Sequence, residues 1–243
     1  MFFFCILFFA SCEDKESSSK KTPETQEAPL KASQTELDSL KAKYGDKEEI
    51  SQNTDETKDD RFPIPQEKLI PFLTQYGKEN PETRVRIITN FGNIEVKLFR
   101  DTPLHRANFI MLVKKDYFND TFFHRIAPGF VIQGGNSDNK ATPRQRSDIG
   151  NYLIPSEFDA GHKHTYGAFS AAKYSEQNVS KASSPFEFFI VMDKNGTPHL
   201  NNDHTVFGRV TKGMEVAEKI AKVKTGQSEW PIDNVEMELE IIK

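Results

Sequence analysis

Between Arg84 and Leu98 the side chains change character at every step. Val85 and Ile87 alternate with Arg84 and Arg86, Asn90-Phe91-Gly92-Asn93 offers a turn, and Ile94, Val96 and Leu98 resume the pattern. Successive side chains on a strand point to opposite faces, so a period of two predicts a β-hairpin with one buried face. The C-terminus repeats the rule, with Val235, Met237, Leu239 and Ile241 set against Glu236, Glu238, Glu240 and Ile242. Further short strands are predicted at 121–124, 130–133, 167–171, 188–192 and 205–210. Thr102-Pro103 reads as an N-cap followed by proline at the first helical position, opening a helix over 104–115. A second helix is predicted over 214–223, after Gly213. The stretch 66–76 predicts a shorter one, interrupted at Pro71 and ended by Gly77. Many short strands with turns between them and two amphipathic helices point to a mainly β fold. The arrangement expected is a closed antiparallel barrel whose ends the two α-helices cap.

That fold does not use the whole chain. Residues 13–60 contain 14 Asp+Glu against 8 Lys, and no Phe, Trp, Cys or Val. Too little apolar surface is available there to offset the entropy of ordering. A flexible acidic linker is expected, reaching roughly 40 Å as a coil. After residue 60 the balance is 24 Lys+Arg to 22 Asp+Glu. A nearly neutral domain gives no electrostatic reason to expect nucleic acid. The two cysteines, Cys5 and Cys12, precede the linker, so the domain has none for a disulfide, a thiolate nucleophile or a cysteine-based zinc site.

Phe2 to Phe9 is apolar throughout and ends in the small residues Ala10 and Ser11. About 20 apolar residues are needed to span a bilayer as a helix, so a secretory signal over 1–11 fits better. No Lys or Arg precedes the run. Phe9-Ala10-Ser11-Cys12 resembles a bacterial lipobox. The resemblance implies cleavage before Cys12, acylation of that cysteine, and lipid anchoring in a bacterial cell envelope, facing the periplasm or the surface. An ordinary signal peptide with a stray cysteine is the alternative. More than one acyl chain is needed for stable anchoring, which a multiply acylated Cys12 would supply. The organisation expected is a signal at 1–11, a lipidated cysteine and linker at 12–60, a partly helical extension at 61–82, and a folded domain at 83–243.

Residues 123–135 read Phe-His-Arg-Ile-Ala-Pro-Gly-Phe-Val-Ile-Gln-Gly-Gly. This resembles the signature of the cyclophilins, peptidyl-prolyl cis-trans isomerases. Thr102 to Phe109 resembles the family's first helix, and Glu187 to Ile190 and His204 to Gly208 resemble its later strands, in order. The resemblance spans 83–243 and implies an eight-stranded cyclophilin-like barrel that accelerates rotation about X-Pro bonds with no cofactor and no metal. It implies that Arg125 donates to the twisting amide and that Gln133 orients Arg125 and the substrate. Phe130, Val131, Phe189 and Leu200 would line a proline pocket with His204 at its rim, His199 and Glu187 would be among the substrate-binding residues, and backbone near Ala172 and Lys173 would pair with the substrate chain, making side-chain changes there matter less. Taken singly, these aromatic and aliphatic residues suit a core, and one arginine suits a solvated surface. Their joint order favours the site.

Departures from the family pattern carry expectations of their own. His199 stands where some relatives have Trp, implying weak cyclosporin affinity. Glu187 stands where Gln is usual, and a carboxylate there is expected to pair with Arg125 and compete with substrate, so that Glu187→Gln leaves activity equal or higher. The polar loop 136–151, with Arg144, Gln145 and Arg146, has no assigned role. His124 reads as a packed structural histidine. His162-x-His164 has strand spacing for two metal ligands but nothing to complete a site. The expected partners are proline-containing polypeptides and a membrane, with the domain itself monomeric. A peptide-binding module of the same fold with little turnover is the second reading, and a lipocalin-like carrier a third.

Overall fold

The computed structural model describes residues 59–174 and 179–243. The signal segment, Cys12 and nearly all of the linker lie outside the described residues. Eight strands form one antiparallel sheet: β1 (Arg84–Thr89), β2 (Gly92–Leu98), β3 (Arg125–Ala127), β4 (Val131–Gly134), β5 (Ala168–Ala171), β6 (Phe188–Val191), β7 (Val206–Lys212) and β8 (Glu238–Ile241). Their order is β3-β4-β6-β5-β7-β2-β1-β8. Alternation placed the first hairpin correctly. Val85 faces Val96 and Ile87 faces Ile94 across it, all buried.

The sheet curls into a half-barrel and is not closed. Its edge strands β3 and β8 share no ladder. Among the described residues an isolated bridge between Phe122 and Glu236, with Phe123 N donating to Val235 O at 3.0 Å, links the two margins. The strand predicted at 121–124 is therefore a single bridging residue, and β3 begins at Arg125.

Four α-helices are formed among the described residues, two more than the pair expected to cap the barrel: α1 (Leu69–Glu79), α2 (Pro103–Lys114), α3 (Ala141–Ile149) and α4 (Met214–Ile220). Helix α2 is buried from His105 through Val113 rather than along one stripe. Its buried polar side chains find partners, although Arg106 Nε itself has none. His105 Nδ1 lies 2.6 Å from Glu157 Oε2, Arg106 donates to the carbonyls of Gly77, Asn80 and Glu82, and Asn108 donates to Pro185 O. Thr102 makes no capping bond. The Glu157 carboxylate instead accepts from the N–H groups of Leu104 and His105, placing negative charge at the positive end of the helix.

Pro71 does not interrupt α1, because it falls in the first turn, where its missing N–H would have had no intrahelical partner. Gly77 lies inside α1 rather than after it. A Cβ there would come within 3.0 Å of Arg106 Nη2 and 3.1 Å of Ala107 Cβ, so glycine lets α1 approach α2. Helix α3 occupies much of the loop that carried no assignment. The main core is aromatic: Phe109, Phe118, Phe169, Phe188 and Phe207 pack with ring centroids 4.7–5.7 Å apart. Among the described residues no helix is long and apolar enough to cross a membrane.

Candidate active site

Register across the sheet assembles the site. Arg125 on β3 faces Gln133 on β4, Gln133 faces Phe189 on β6, and Phe189 faces Ser170 on β5. Cross-strand partners share a face, so these side chains stand in one row. A second, smaller apolar cluster lies along it: Ala127, Val131, Ala168, Ala172, Phe189, Val191 and Val206 are buried, with Phe99, Phe130 and Leu200 partly covered against them. It floors a cavity of about 220 Å³ lined by Arg125, Phe130, Val131, Gln133, Ala172, Lys173, Phe189, Leu200 and His204. All the sequence-predicted site residues of the domain therefore converge there except His199 and Glu187. His199 stacks on Phe130 at 5.6 Å, and Glu187 stands behind Gln133.

Arg125 is half-exposed at the mouth, with its Cζ 6.0 Å from the centroid of the Phe130 ring. A guanidinium is charged at every ordinary pH and offers a rigid array of donors. Beside an apolar recess it can stabilise developing charge on a bound amide without forming a covalent bond.

The chain's similarity to known proteins agrees with this site. The family profile described as "Cyclophilin type peptidyl-prolyl cis-trans isomerase/CLD" matches residues 84–240. The chain belongs to that family. It is 37% identical over 157 residues to peptidyl-prolyl cis-trans isomerase A of Dickeya dadantii, covering 63% of this chain and 78% of the relative. It is also 37% identical over 158 residues to the peptidyl-prolyl cis-trans isomerase-like 2 of Rhizopus delemar, 64% of this chain but only 28% of that longer protein. A crystal structure of a Cryptosporidium parvum cyclophilin type isomerase, obtained in the presence of the dipeptide Ala-Pro, aligns with TM-score 0.56 and 28% identity over 66% of this chain and 99% of its own. The activity is peptidyl-prolyl cis-trans isomerisation.

Several details of the cyclophilin site depart from what the sequence led us to expect. Glu187 does not reach Arg125. Its carboxylate accepts from Gln133 Nε2 at 3.0 Å and from Arg146 Nη2 at 3.2 Å, and lies 3.5 Å from His124 Nε2. Burial alone would push this carboxyl up. The hydrogen bond and charge of His124, then Arg146 and the Gln133 amide, hold it below the usual carboxylate range. His124 is packed, as its reading implied, and its Nε2 faces this carboxylate. Gln133 lies directly across the ladder from Arg125, but its N–H goes to Glu187. The carboxylate on Arg125 belongs to Glu229, with Oε2 2.7 Å from Nε.

The Ala172 N–H is occupied by Glu187 O at 3.0 Å, and its carbonyl already accepts from Ser184 N at 2.8 Å. The Lys173 side chain is not incidental either: its Nζ sits 2.8 Å from Asp203 Oδ1 and is largely covered. His162 pairs with Asp101 at 2.9 Å, and His164 is held between Asn201 and Ser170 at 3.0 Å each. Among the described residues no cluster of three His, Cys, Asp or Glu could hold a metal ion.

Arg146 was named without a role, and Glu229 and Trp230 were missed by sequence reasoning. The one tryptophan of the chain could have flagged the last two. Gly135 closes the 123–135 signature run. At φ +99° a Cβ on it would fall 2.1 Å from Phe186 O, so glycine lets the chain leaving β4 pass this close to the segment that leads into β6.

His204 stands edge-on to Phe189, ring centroids 5.4 Å apart. Burial, and then the nearby Lys173 ammonium, drive its imidazole down from 6.5 to about 4, so it is neutral at pH 7. kcat/KM is expected to show no step near the ordinary histidine value of ~6.5. A pH–rate profile across that value checks this; a clear inflection there that His204→Gln abolishes would overturn it. Stability follows the same linkage. The unfolded imidazole takes a proton near 6.5 and the folded one only near 4, so stability is full above that window and falls as pH drops through it.

Proposed function

We propose that this cyclophilin acts as a lipid-anchored isomerase on proline-containing segments of exported or cell-envelope proteins while they fold. The X-Pro amide resists rotation because its nitrogen lone pair is delocalised, with a barrier of about 18–20 kcal/mol, and uncatalysed exchange takes about 10–100 s. Phe130, Val131, Phe189 and Leu200 receive the proline ring. Arg125 donates to the amide nitrogen as it pyramidalises or to the carbonyl oxygen as it turns, and that donation is stronger in the twisted state than in the planar one. His204, neutral, and His199 form the rim. The observation that carries this reading is the guanidinium standing over the Phe130 face at the mouth of a cavity of about 220 Å³ floored by Val131, Phe189 and Leu200.

The setting rests on the sequence. The apolar Phe2–Phe9 run, the Phe-Ala-Ser-Cys segment ending at Cys12, and the acidic stretch that follows support export, acylation and a tether. The test joins both halves. Full-length protein made in a bacterial host should sediment with membranes and accelerate X-Pro isomerisation in a protease-coupled assay. Cys12→Ser should release it to the soluble fraction with the activity of the domain unchanged. A wild-type protein that is soluble would sink the anchoring. One that binds X-Pro peptides without accelerating their exchange would favour the peptide-binding module instead.

A further inference from the structure

Gln227-Ser228-Glu229-Trp230 is a turn with an unusual backbone. Ser228 has φ 61° and ψ 23°, and Glu229 follows at φ 60°, two consecutive non-glycine residues in the left-handed region. The region is disfavoured for L-residues because Cβ crowds the carbonyl, and such conformations persist only where the surroundings impose them. Here the surroundings do. The base of the turn is closed by Gly226 N donating to Trp230 O at 2.8 Å and Ile232 N donating to Lys224 O at 3.0 Å, and Trp230 packs 5.6 Å from the His124 ring. The result is that the Glu229 carboxylate meets the Arg125 guanidinium at its Nε edge.

Arg125 needs such a partner. It is long and half-exposed, and Gln133, its cross-strand neighbour, gives its amide N–H to Glu187. On its other side the guanidinium lies against the Phe130 ring. At 2.7 Å from Nε the carboxylate attracts the guanidinium from the side of the turn and opposes its swinging away. We propose that Glu229 is the positioning residue of the catalytic arginine in this chain: the strained turn holds Arg125 over the proline pocket in place of a glutamine amide. The inference rests on the role given to Arg125 above.

The test uses the full chain and an uncharged X-Pro peptide. Glu229→Gln keeps the size of the side chain and removes its charge. It is expected to lower kcat about three- to fivefold with KM unchanged, the scale of an exposed ion pair. Salt gives a readout that a merely structural role would not move. Wild-type kcat should fall by a similar factor between low ionic strength and ~1 M salt, where screening reaches ~3 Å, and Glu229→Gln should be flat. In an Arg125→Ala background, Glu229→Gln should have no further effect. A Glu229→Gln protein as active as wild type, or more active, overturns the inference and makes Glu229 a competitor of substrate. Should that variant not fold, the salt profile of the wild type decides alone, and a flat profile counts against the proposal. Full activity in Arg125→Ala would instead remove the role of the arginine itself.

Discussion

Arg125→Ala is expected to lower kcat/KM for an X-Pro peptide by about 10²–10³-fold, the loss typical of removing one preorganised donor from a developing charge. The fold should barely notice. Arg125 stands half-exposed on an edge strand, and its ion pair with Glu229 is solvent-facing, so truncation leaves no buried charge behind. A stability change within about 0.5 kcal/mol is expected. The floor of the pocket, from Val131, Phe189 and Leu200, remains in place, so peptide binding should survive while turnover is lost. Arg125→Lys separates charge from geometry. The ammonium keeps the cation but lacks the planar array of donors, so it should recover only part of the lost rate. Coupled-assay rates beside peptide titrations followed by NMR would read both effects. Equal loss of binding and rate would show that Arg125 holds the peptide rather than easing its rotation.

The parts of the molecule legible in the sequence are those whose physics is local. The β1–β2 hairpin declared itself because each strand has one wet and one dry face, and Ile87 opposite Ile94 follows from that alternation and the turn between them. The pocket residues were legible through a motif. Spacing by two along β4 puts Val131 and Gln133 on one face, and the cross-strand partners of Gln133 are Arg125 and Phe189. What stayed hidden depends on pairing between distant segments. Helix α3 buries little beyond Thr142 and Ile149, too weak a stripe to signal a helix. Alternation told which face of β8 is dry, but whether that strand pairs with β3 is settled by the path of the chain around Phe122. Likewise, Glu187 could be recognised as out of pattern without showing that its partner would be Arg146 rather than Arg125.

That partnership makes Arg146→Met the most damaging substitution we expect in α3. The Arg146 guanidinium donates to Tyr117 Oη at 2.8 Å, to Gly135 O at 2.9 Å, to Asn136 Oδ1 at 3.1 Å and to Glu187 Oε1 at 3.2 Å. Methionine preserves much of the stem and its contact with Phe186 but leaves the Glu187 carboxylate covered and short of its cation. Removing one member of a buried pair typically costs 3–5 kcal/mol, and the slight exposure here places the expectation at about 2–3 kcal/mol. For a domain of this size that lowers Tm by roughly 5–10 °C. Activity should fall by about three- to tenfold as well, because Glu187 fixes the Gln133 amide beside the pocket. Glu187→Gln, first expected to be neutral or beneficial, should also lose stability, since it strands Arg146 instead. The double replacement should be less harmful than the sum of the two, because neither leaves a lone charge. The pH dependence identifies the cause. In the wild type the Glu187 carboxyl titrates below 4.5, so its contribution is full above that value and is lost as pH falls through the lower folded value. Without Arg146 a main opposing force to burial is gone, the carboxyl moves up, and the loss of stability should begin at a higher pH than in the wild type. Thermal melts at several pH values would decide it. If both proteins lose stability over the same pH range, Arg146 is not what keeps Glu187 ionised.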